Sequence, residues 1–332
     1  SGATELSQYA FTANYFSQDS PVIFVGYERA SIRLNSSTKT LNKRLTIGEN
    51  FTLSMDNRKG GFGNNGEQNA VSGSYKHHPL LPVYDITGPG GNEYGGFSGS
   101  RGANLGNNNN PYARLSRNQD NRSKRFRAFG SVFAEAIIAD KITAKSTFGF
   151  DVVGRRGLYI GRPQPEYIEG NFVNSSTSLF QNSYQWNFTN TLTYSETFND
   201  IHNVEALVGV EAVEAFGEEF GAGRQRFPFQ TTPIISYLDA GNQGTSSNYG
   251  RAQTNYALWS QFAKLNYGYG SKYLAQVIVR NDASSRFRSA TNSAVFPAFS
   301  LGWRISDEDF MSGLTFIDDL KLRYGWGQTG NQ

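Results

Sequence analysis

The sequence contains no cysteine, only two methionines and only three histidines among its 332 residues. Without cysteine, the chain has no disulfide framework and no cysteine-based metal site. Apolar residues never run together for about 18 positions, the length that a membrane-spanning helix needs. The sequence therefore excludes a helical membrane protein and a disulfide-stabilised scaffold.

Excess charge of one sign is also scarce. The formal net charge is +3, and the basic residues are dispersed along the chain. Binding of nucleic acid requires a basic face on which lysines and arginines cluster. We therefore expect no nucleic-acid partner.

The few histidines offer little material for catalysis. His77 and His78 are neighbours in a Gly-rich stretch, and His202 lies in a short turn. The sequence contains no G-x-S-x-G, H-E-x-x-H or phosphate-loop motif. The stretches DNRKGGFGNN and DAGNQGTSSN are rich in oxygen ligands and could bind Ca²⁺, but few of their carboxylates are in register. We expect no enzymatic activity, no cofactor and no metal site.

Aromatic residues and glycine are abundant: 25 Phe, 18 Tyr and 36 Gly. The aromatic residues alternate with polar ones, which is the period of a β-strand. The clearest example is Ser183–Ser195. Its apolar face carries Tyr184, Trp186, Phe188, Leu192 and Tyr194, and its polar face carries Gln185, Asn187, Thr189, Thr191 and Thr193.

The alternation predicts about eleven strands, with connections that alternate between short and long. Short connections are expected near 38–43, 140–141, 197–202 and 269–271, and long loops at 55–122, 155–182 and 217–255. Short turns at one rim and long loops at the other are typical of a transmembrane β-barrel. The predicted fold is therefore all-β, an antiparallel transmembrane barrel with short periplasmic turns and long extracellular loops. A soluble β-rich binding module is the alternative for the fold.

Two groups of aromatic residues are candidates for function. Residues near strand ends are expected to form the girdles at the membrane interfaces: Tyr184, Trp186, Trp259, Tyr267, Trp303 and Trp326. Residues of the first long loop could stack on sugar rings or hold a peptide: Tyr84, Tyr94, Phe97 and Tyr112. The alternatives are inward packing in a soluble β domain for the first group, and packing of the loop on itself or a partner for the second.

Four stretches carry a more specific signal than alternation. They are NPYARLSRNQDNRSKRFRAFGSVFAE (Asn110–Glu135), ALVGVEA (Ala206–Ala212), WSQFAKLNYGYGSKYLAQVIVRNDASSRF (Trp259–Phe287), and FPAFSLGWRISDEDFM followed by IDDLKLRYGWGQTGNQ. These stretches resemble the SusC/RagA-like TonB-dependent transporters of Bacteroidetes outer membranes. The resemblance covers most of the chain after residue 110 and is looser before it.

The resemblance implies that the chain is an interior part, about half, of a 22-stranded barrel. The plug, the TonB box and the C-terminal strands would then lie outside it. The implied function is active import of a large nutrient, an oligosaccharide or peptide, across the outer membrane. The implied partners are a SusD-like surface lipoprotein as a lid, the TonB-ExbB-ExbD complex acting through the N-terminal region, and outer-membrane lipid. The alternative function is an outer-membrane scaffold or adhesion barrel that transports nothing.

Overall fold

The computed structural model describes residues 1–61, 69–85, 96–101, 109–228, 237–288, 292–314 and 316–330. Within these ranges, twelve strands form one antiparallel sheet in which every strand pairs with its neighbours in sequence. The first strand has only two residues, so the eleven longer strands correspond to the predicted number. Sequential antiparallel pairing is the topology of an up-and-down barrel wall.

The strands and helices have the following bounds. The strands are β1 (Gly2–Ala3), β2 (Ser7–Asp19), β3 (Gly26–Thr40), β4 (Leu45–Lys59), β5 (Arg122–Ala139), β6 (Ile142–Gly161), β7 (Ser175–Phe198), β8 (His202–Gln225), β9 (Asn242–Tyr269), β10 (Tyr273–Ser284), β11 (Ser293–Arg304) and β12 (Lys321–Gly327). The helices α1 (Ala70–Lys76) and α2 (Pro111–Asn118) both lie between β4 and β5.

The register places apolar side chains together on one face of the sheet. Phe11, Leu34 and Phe51 lie directly opposite one another on β2, β3 and β4. Phe148 faces Phe188 in the same way on β6 and β7. Large apolar side chains on this face are exposed, among them Phe11 at 58% and Val208 at 55%. A continuous exposed apolar face is the surface that a barrel presents to lipid.

The long loops are shorter than predicted, because the strands continue into them. Pairing between β6 and β7 extends to Gly161 opposite Ser175, and pairing between β8 and β9 extends to Gln225 opposite Asn242. The connections are therefore 60–121, 162–174 and 226–241, not 55–122, 155–182 and 217–255. Alternation ends earlier than the hydrogen bonding because a strand that has left the lipid needs no apolar outer face.

The tight turns use residues that tolerate left-handed backbone. Asn199 and Asp200 have φ of 51° and 56° between β7 and β8, and Gly270 and Ser271 have φ of 53° and 59° between β9 and β10. Consecutive positive φ values match the twist of a hairpin, and Asn, Asp and Gly adopt them at little cost. One connection at this rim is long: 305–320, which contains two 3₁₀ turns.

Within the described ranges, neither helix nor any other helical segment is long and apolar enough to cross a membrane. Among the described residues the buried apolar side chains are few. Ala70, Ala113, Leu115, Tyr167 and Phe227 lie in the connections at the long-loop rim, and only Ile160 and Ala215 lie in strands. The sheet itself has almost no core of its own. The loops therefore pack as a small folded unit on one rim of the wall.

Candidate functional site

The face of the sheet opposite the apolar one carries a hydrogen-bonded network of charged groups. Glu211 accepts a hydrogen bond from Thr189 Oγ1 at 3.0 Å and from Arg280 at 2.9 Å. Arg280 also donates to Asp282 at 2.6 Å and to Ser260 at 2.8 Å. Such a network is too costly to face hydrocarbon, so this polar face lines a water-filled interior.

Similar ion pairs recur along the polar face on other strands. The pairs join neighbouring strands, with N–O distances of 2.6 to 2.8 Å: Arg127–Asp151, Lys264–Glu205 and Arg251–Glu219. These side chains remain partly exposed, apart from the nearly buried Glu219 carboxylate. The interior surface is thus polar and carries both signs of charge.

The predicted girdle residues all lie on the apolar face, at different heights. Trp259 and Tyr267 stand on the same face of β9 eight residues apart, which is about 26 Å along a strand. Tyr184 and Trp186 lie towards the long-loop rim and Trp303 lies at the short-turn rim, whereas Trp326 sits opposite Phe299, nearer the middle. The spacing on β9 matches the roughly 25 Å apolar band of outer-membrane barrels. Their position at the two membrane interfaces stays a prediction.

Trp303 and the neighbouring Tyr273 share one partner for their polar atoms. Trp303 Nε1 and Tyr273 Oη both donate to Glu308 Oε1, at 2.9 and 2.6 Å. The hydrogen bond from Tyr273, followed by that from Trp303, holds the pKa of the Glu308 carboxyl below its usual value. Lys272 pairs with the same carboxylate at 3.4 Å. Glu308 thereby fastens the 305–320 connection to the short-turn rim.

We refer to residues 69–85, 96–101, 109–121 and 162–174 as the cap, because they fold together over the long-loop rim. Asn110 is the hub of the cap and is 1% exposed. Its Nδ2 donates to the backbone oxygens of Val83 and Ser98, each at 2.9 Å. Its Oδ1 accepts from Ala113 N at 3.1 Å and so caps α2. One amide therefore joins three separate parts of the first long loop.

A buried ion pair joins the first long loop to the loop between β6 and β7. The Arg117 and Glu166 side chains are 8% and 3% exposed, and their second contact, from Nη2 to Oε2, is 2.9 Å. The Arg117 guanidinium also lies over the Phe97 ring at 5.1 Å. Arg101 adds a further link by donating from Nη2 to the backbone oxygen of Tyr167 at 2.9 Å. The cap is thus held by groups from two loops.

Three of the four loop aromatics predicted as ligand contacts form one cluster in the cap. Tyr84 stacks on Phe97 with ring centroids 5.6 Å apart, and Tyr112 meets both rings edge-on or tilted, at 5.9 and 6.1 Å. The hydrogen bond with Tyr112 raises the pKa of Tyr84. Tyr84 stays 49% exposed, whereas Tyr94 lies outside the described residues. The rings pack on one another, and ligand contact by Tyr84 stays a prediction.

Sequence reasoning missed the residues that hold the cap together. Asn110 followed by Pro111 is a helix-start signal, with a side-chain cap and proline in the first turn, and it would have located α2. The Arg117–Glu166 pair joins residues 49 positions apart, and nothing in a single sequence marks such a pair. Within the described ranges, His, Asp and Glu side chains form no group of three that could hold a metal ion.

Comparison with known proteins confirms the resemblance and the fold. No family model matches the chain. The chain is 29% identical along its whole length to a TonB-dependent receptor of Formosa agariphila, of which it covers 30%. Half of the chain is 32% identical to the TonB-dependent receptor SusC of Bacteroides thetaiotaomicron. The matched part covers 17% of SusC. The structure of the RagAB peptide transporter superposes with a TM-score of 0.75 over 99% of the chain at 24% identity, matching 36% of that structure's chain.

The chain spans about a third of the length of the relatives that it matches end to end. The chain is similar to SusC/RagA-like TonB-dependent transporters, as its motifs predicted, and these relatives are receptors and transporters rather than enzymes. The twelve-stranded sheet is part of an antiparallel transmembrane β-barrel. Barrels of this type belong to the bacterial outer membrane, which is where this chain is located.

Proposed function

We propose that this chain forms part of the wall and the extracellular cap of a TonB-dependent importer, which carries a large nutrient across the outer membrane. The observation that carries the proposal is the combination of a polar, charged face on the sheet with a folded cap above one rim. The names of its relatives, TonB-dependent receptors and a peptide transporter, support the same function.

The proposed cargo is an oligosaccharide or a peptide, and the proposed partner is a SusD-like surface lipoprotein that closes the extracellular mouth. The cap is the part of the chain suited to receive such a lid, since it is folded and presents exposed aromatic side chains. Tyr84 and Tyr75 are 49% and 85% exposed. Because the buried hub and ion pair fix the cap backbone, a partner would meet a preformed surface.

The experiment that tests the function measures uptake of labelled oligosaccharides and peptides by cells that carry or lack the gene. Energised uptake requires both this protein and TonB, so deletion of either is expected to abolish it. The same cells without a proton gradient serve as the control for passive entry. If uptake continues without TonB, or if deletion changes adhesion but not uptake, the scaffold or adhesion barrel is the correct function.

The lid is tested by purification of the protein from native outer membranes in mild detergent. A surface lipoprotein should co-purify in about equal amount. Replacement of the exposed Tyr84 by alanine should weaken that association or the binding of cargo, while Tyr237→Ala, at an exposed tyrosine outside the cap, is the matched control. Co-purification unchanged by either substitution, together with unchanged uptake, would remove Tyr84 from the proposed contact surface.

A further inference from the structure

The charged residues of the polar face are not balanced evenly around the wall. On β8 to β10 the acidic residues Glu205, Glu211, Glu219 and Asp282 each pair with a lysine or arginine. On β3 to β6, towards the long-loop rim, arginines outnumber aspartates on the same face. The arginines are Arg29, Arg33, Arg58, Arg125, Arg127 and Arg155, and the aspartates are Asp56 and Asp151.

Both aspartates are already committed to a partner. Asp56, 3% exposed, accepts from Arg125 Nε at 2.7 Å, and Asp151 accepts two hydrogen bonds from Arg127 at 2.9 and 2.6 Å. Among the described residues, no carboxylate lies within 4.0 Å of the guanidinium groups of Arg58 and Arg155. The positive charges of these two arginines at the mouth of the wall are therefore not paired with a carboxylate among the described residues.

A cavity of about 890 Å³ lies where the polar face meets the cap. Its charged lining residues, among those the structure describes, are Arg58, Lys59, Arg114 and Arg155, and none is acidic. The volume is in the range of ligand pockets, about 300 to 1,000 Å³. Arg58 and Arg155 have no described carboxylate within reach, so this concave, polar site favours a negatively charged occupant.

Neutral groups hold two of these cations in place. Arg155 donates from Nε to Ser123 Oγ and from Nη2 to Tyr159 Oη, both at 3.0 Å. The Arg58 guanidinium lies over the Tyr27 ring at 5.6 Å. Neutral partners orient a guanidinium without cancelling its charge, so its remaining donors can form charge-assisted hydrogen bonds with an anion. Arg114 lies on α2 at the edge of the same cavity, where burial lowers its pKa.

We propose that this cavity binds the acidic groups of an anionic oligosaccharide as it enters the barrel, an inference that rests on the proposed import function. The acidic group is a carboxylate or a sulfate ester, since guanidinium binds both through paired oxygens. The rest of the lining favours a saccharide over a peptide. Amide side chains, among them Asn69 and Asn118, suit hydroxyl groups, and the Tyr159 ring suits the apolar face of a sugar.

The test measures binding to the whole protein, purified with any bound lipoprotein, by isothermal titration calorimetry. The probes are tetragalacturonate, a sulfated galactan tetrasaccharide, neutral maltotetraose and a tetraglutamate peptide. We expect an acidic saccharide to bind at least about tenfold more tightly than maltotetraose, one charge-assisted contact being sufficient for that difference. Its affinity should fall with added salt. Comparison of the carboxylated and sulfated probes identifies the acidic group.

The double variant Arg58→Gln/Arg155→Gln should lose the preference for acidic saccharides. Arg58→Lys/Arg155→Lys keeps the charge and should retain most of it, which separates lost charge from lost folding. Arg288→Gln is the matched control, because Arg288 is exposed in the connection between β10 and β11 and does not line the cavity. Heat-modifiable electrophoretic mobility checks that each barrel has folded.

Equal affinity for neutral and acidic saccharides would overturn the inference, and so would a preference that survives the double Gln variant. Tighter binding of tetraglutamate than of either acidic saccharide would replace the saccharide with a peptide. The import function and the preference for acidic cargo are tested by different measurements, so one can fail without the other. If TonB-dependent uptake of neutral oligosaccharides or peptides continues while the preference for acidic cargo is absent, only the inference is wrong.

Discussion

At the scale of single residues, the cap depends on polar groups that the fold has removed from water. Asn110 is 1% exposed and makes three hydrogen bonds to the backbone. Arg117 and Glu166 are buried together. A buried ion pair adds little net stability compared with apolar residues of similar volume, but removal of one partner leaves an uncompensated charge. The pair therefore makes the folding of one loop dependent on the other.

Glu166→Gln should unfold the cap and leave the barrel intact. The substitution removes the charge that balances the Arg117 guanidinium, and loss of one member of a buried pair costs about 3–5 kcal/mol. Hydrogen exchange should accelerate at amides in 109–121 and 162–174, while strand amides keep their protection. Asp140→Asn is the matched control, because the Arg44–Asp140 pair is 59% and 89% exposed and such pairs contribute about 0–1 kcal/mol. Equal exchange in both variants would contradict the role of the buried pair.

The sequence identified which loop residues are notable by their chemistry, but it did not predict which residues they contact. The loop aromatics were identified by their chemistry, and Tyr84, Phe97 and Tyr112 do come together. That they pack on one another, with only Tyr84 half exposed, depends on α2 and the hub Asn110. These contacts arise from tertiary packing between loop segments, which local propensity does not encode.

At the scale of elements, each long strand lies between lipid and water. β7 shows this with Phe188 and Leu192 on the apolar face and Thr189 and Thr193 on the polar face. A shift of register by one residue would exchange the two faces completely. The division between faces was predictable from the sequence because it follows directly from side-chain period. The strand ends were not, since β6 to β9 continue beyond the apolar band, where alternation has no physical basis.

Neighbouring positions on β7 should respond oppositely to the same charge. Leu192→Arg places a guanidinium on the lipid face, which costs up to about 2–4 kcal/mol near the bilayer midplane. Thr193→Arg places it on the polar face beside Thr143 and Leu207, where water can solvate it. Folding into lipid vesicles under urea titration should show destabilisation by Leu192→Arg alone. Similar destabilisation by Thr193→Arg would mean that the polar face does not line water.

At the scale of the whole molecule, the wall is an open sheet. β1 and β12 lie at its two ends, and among the described residues neither has a partner on its outer edge. Lipid cannot hydrogen-bond a free strand edge, so a sheet stable in the membrane must close on itself or on further strands. The relatives have room for such strands, since the chain covers only 30% of the first of them.

Residues 1–332 expressed alone with an outer-membrane targeting signal should therefore fail to form a monomeric barrel. The unpaired edges of Gly2–Ala3 and Lys321–Gly327 are expected to cause degradation or assembly with a second copy, since paired copies satisfy both edges. The measurement is heat-modifiable mobility and size-exclusion chromatography in detergent, with the whole gene product as the control. A monomeric, protease-resistant and heat-modifiable species from these residues alone would show that the two edges close directly on each other. Barrel diameter grows with the number of strands, so the closed sheet would enclose a pore about half as wide as that of a 22-stranded barrel. Such a pore would be too narrow for the large cargo proposed here.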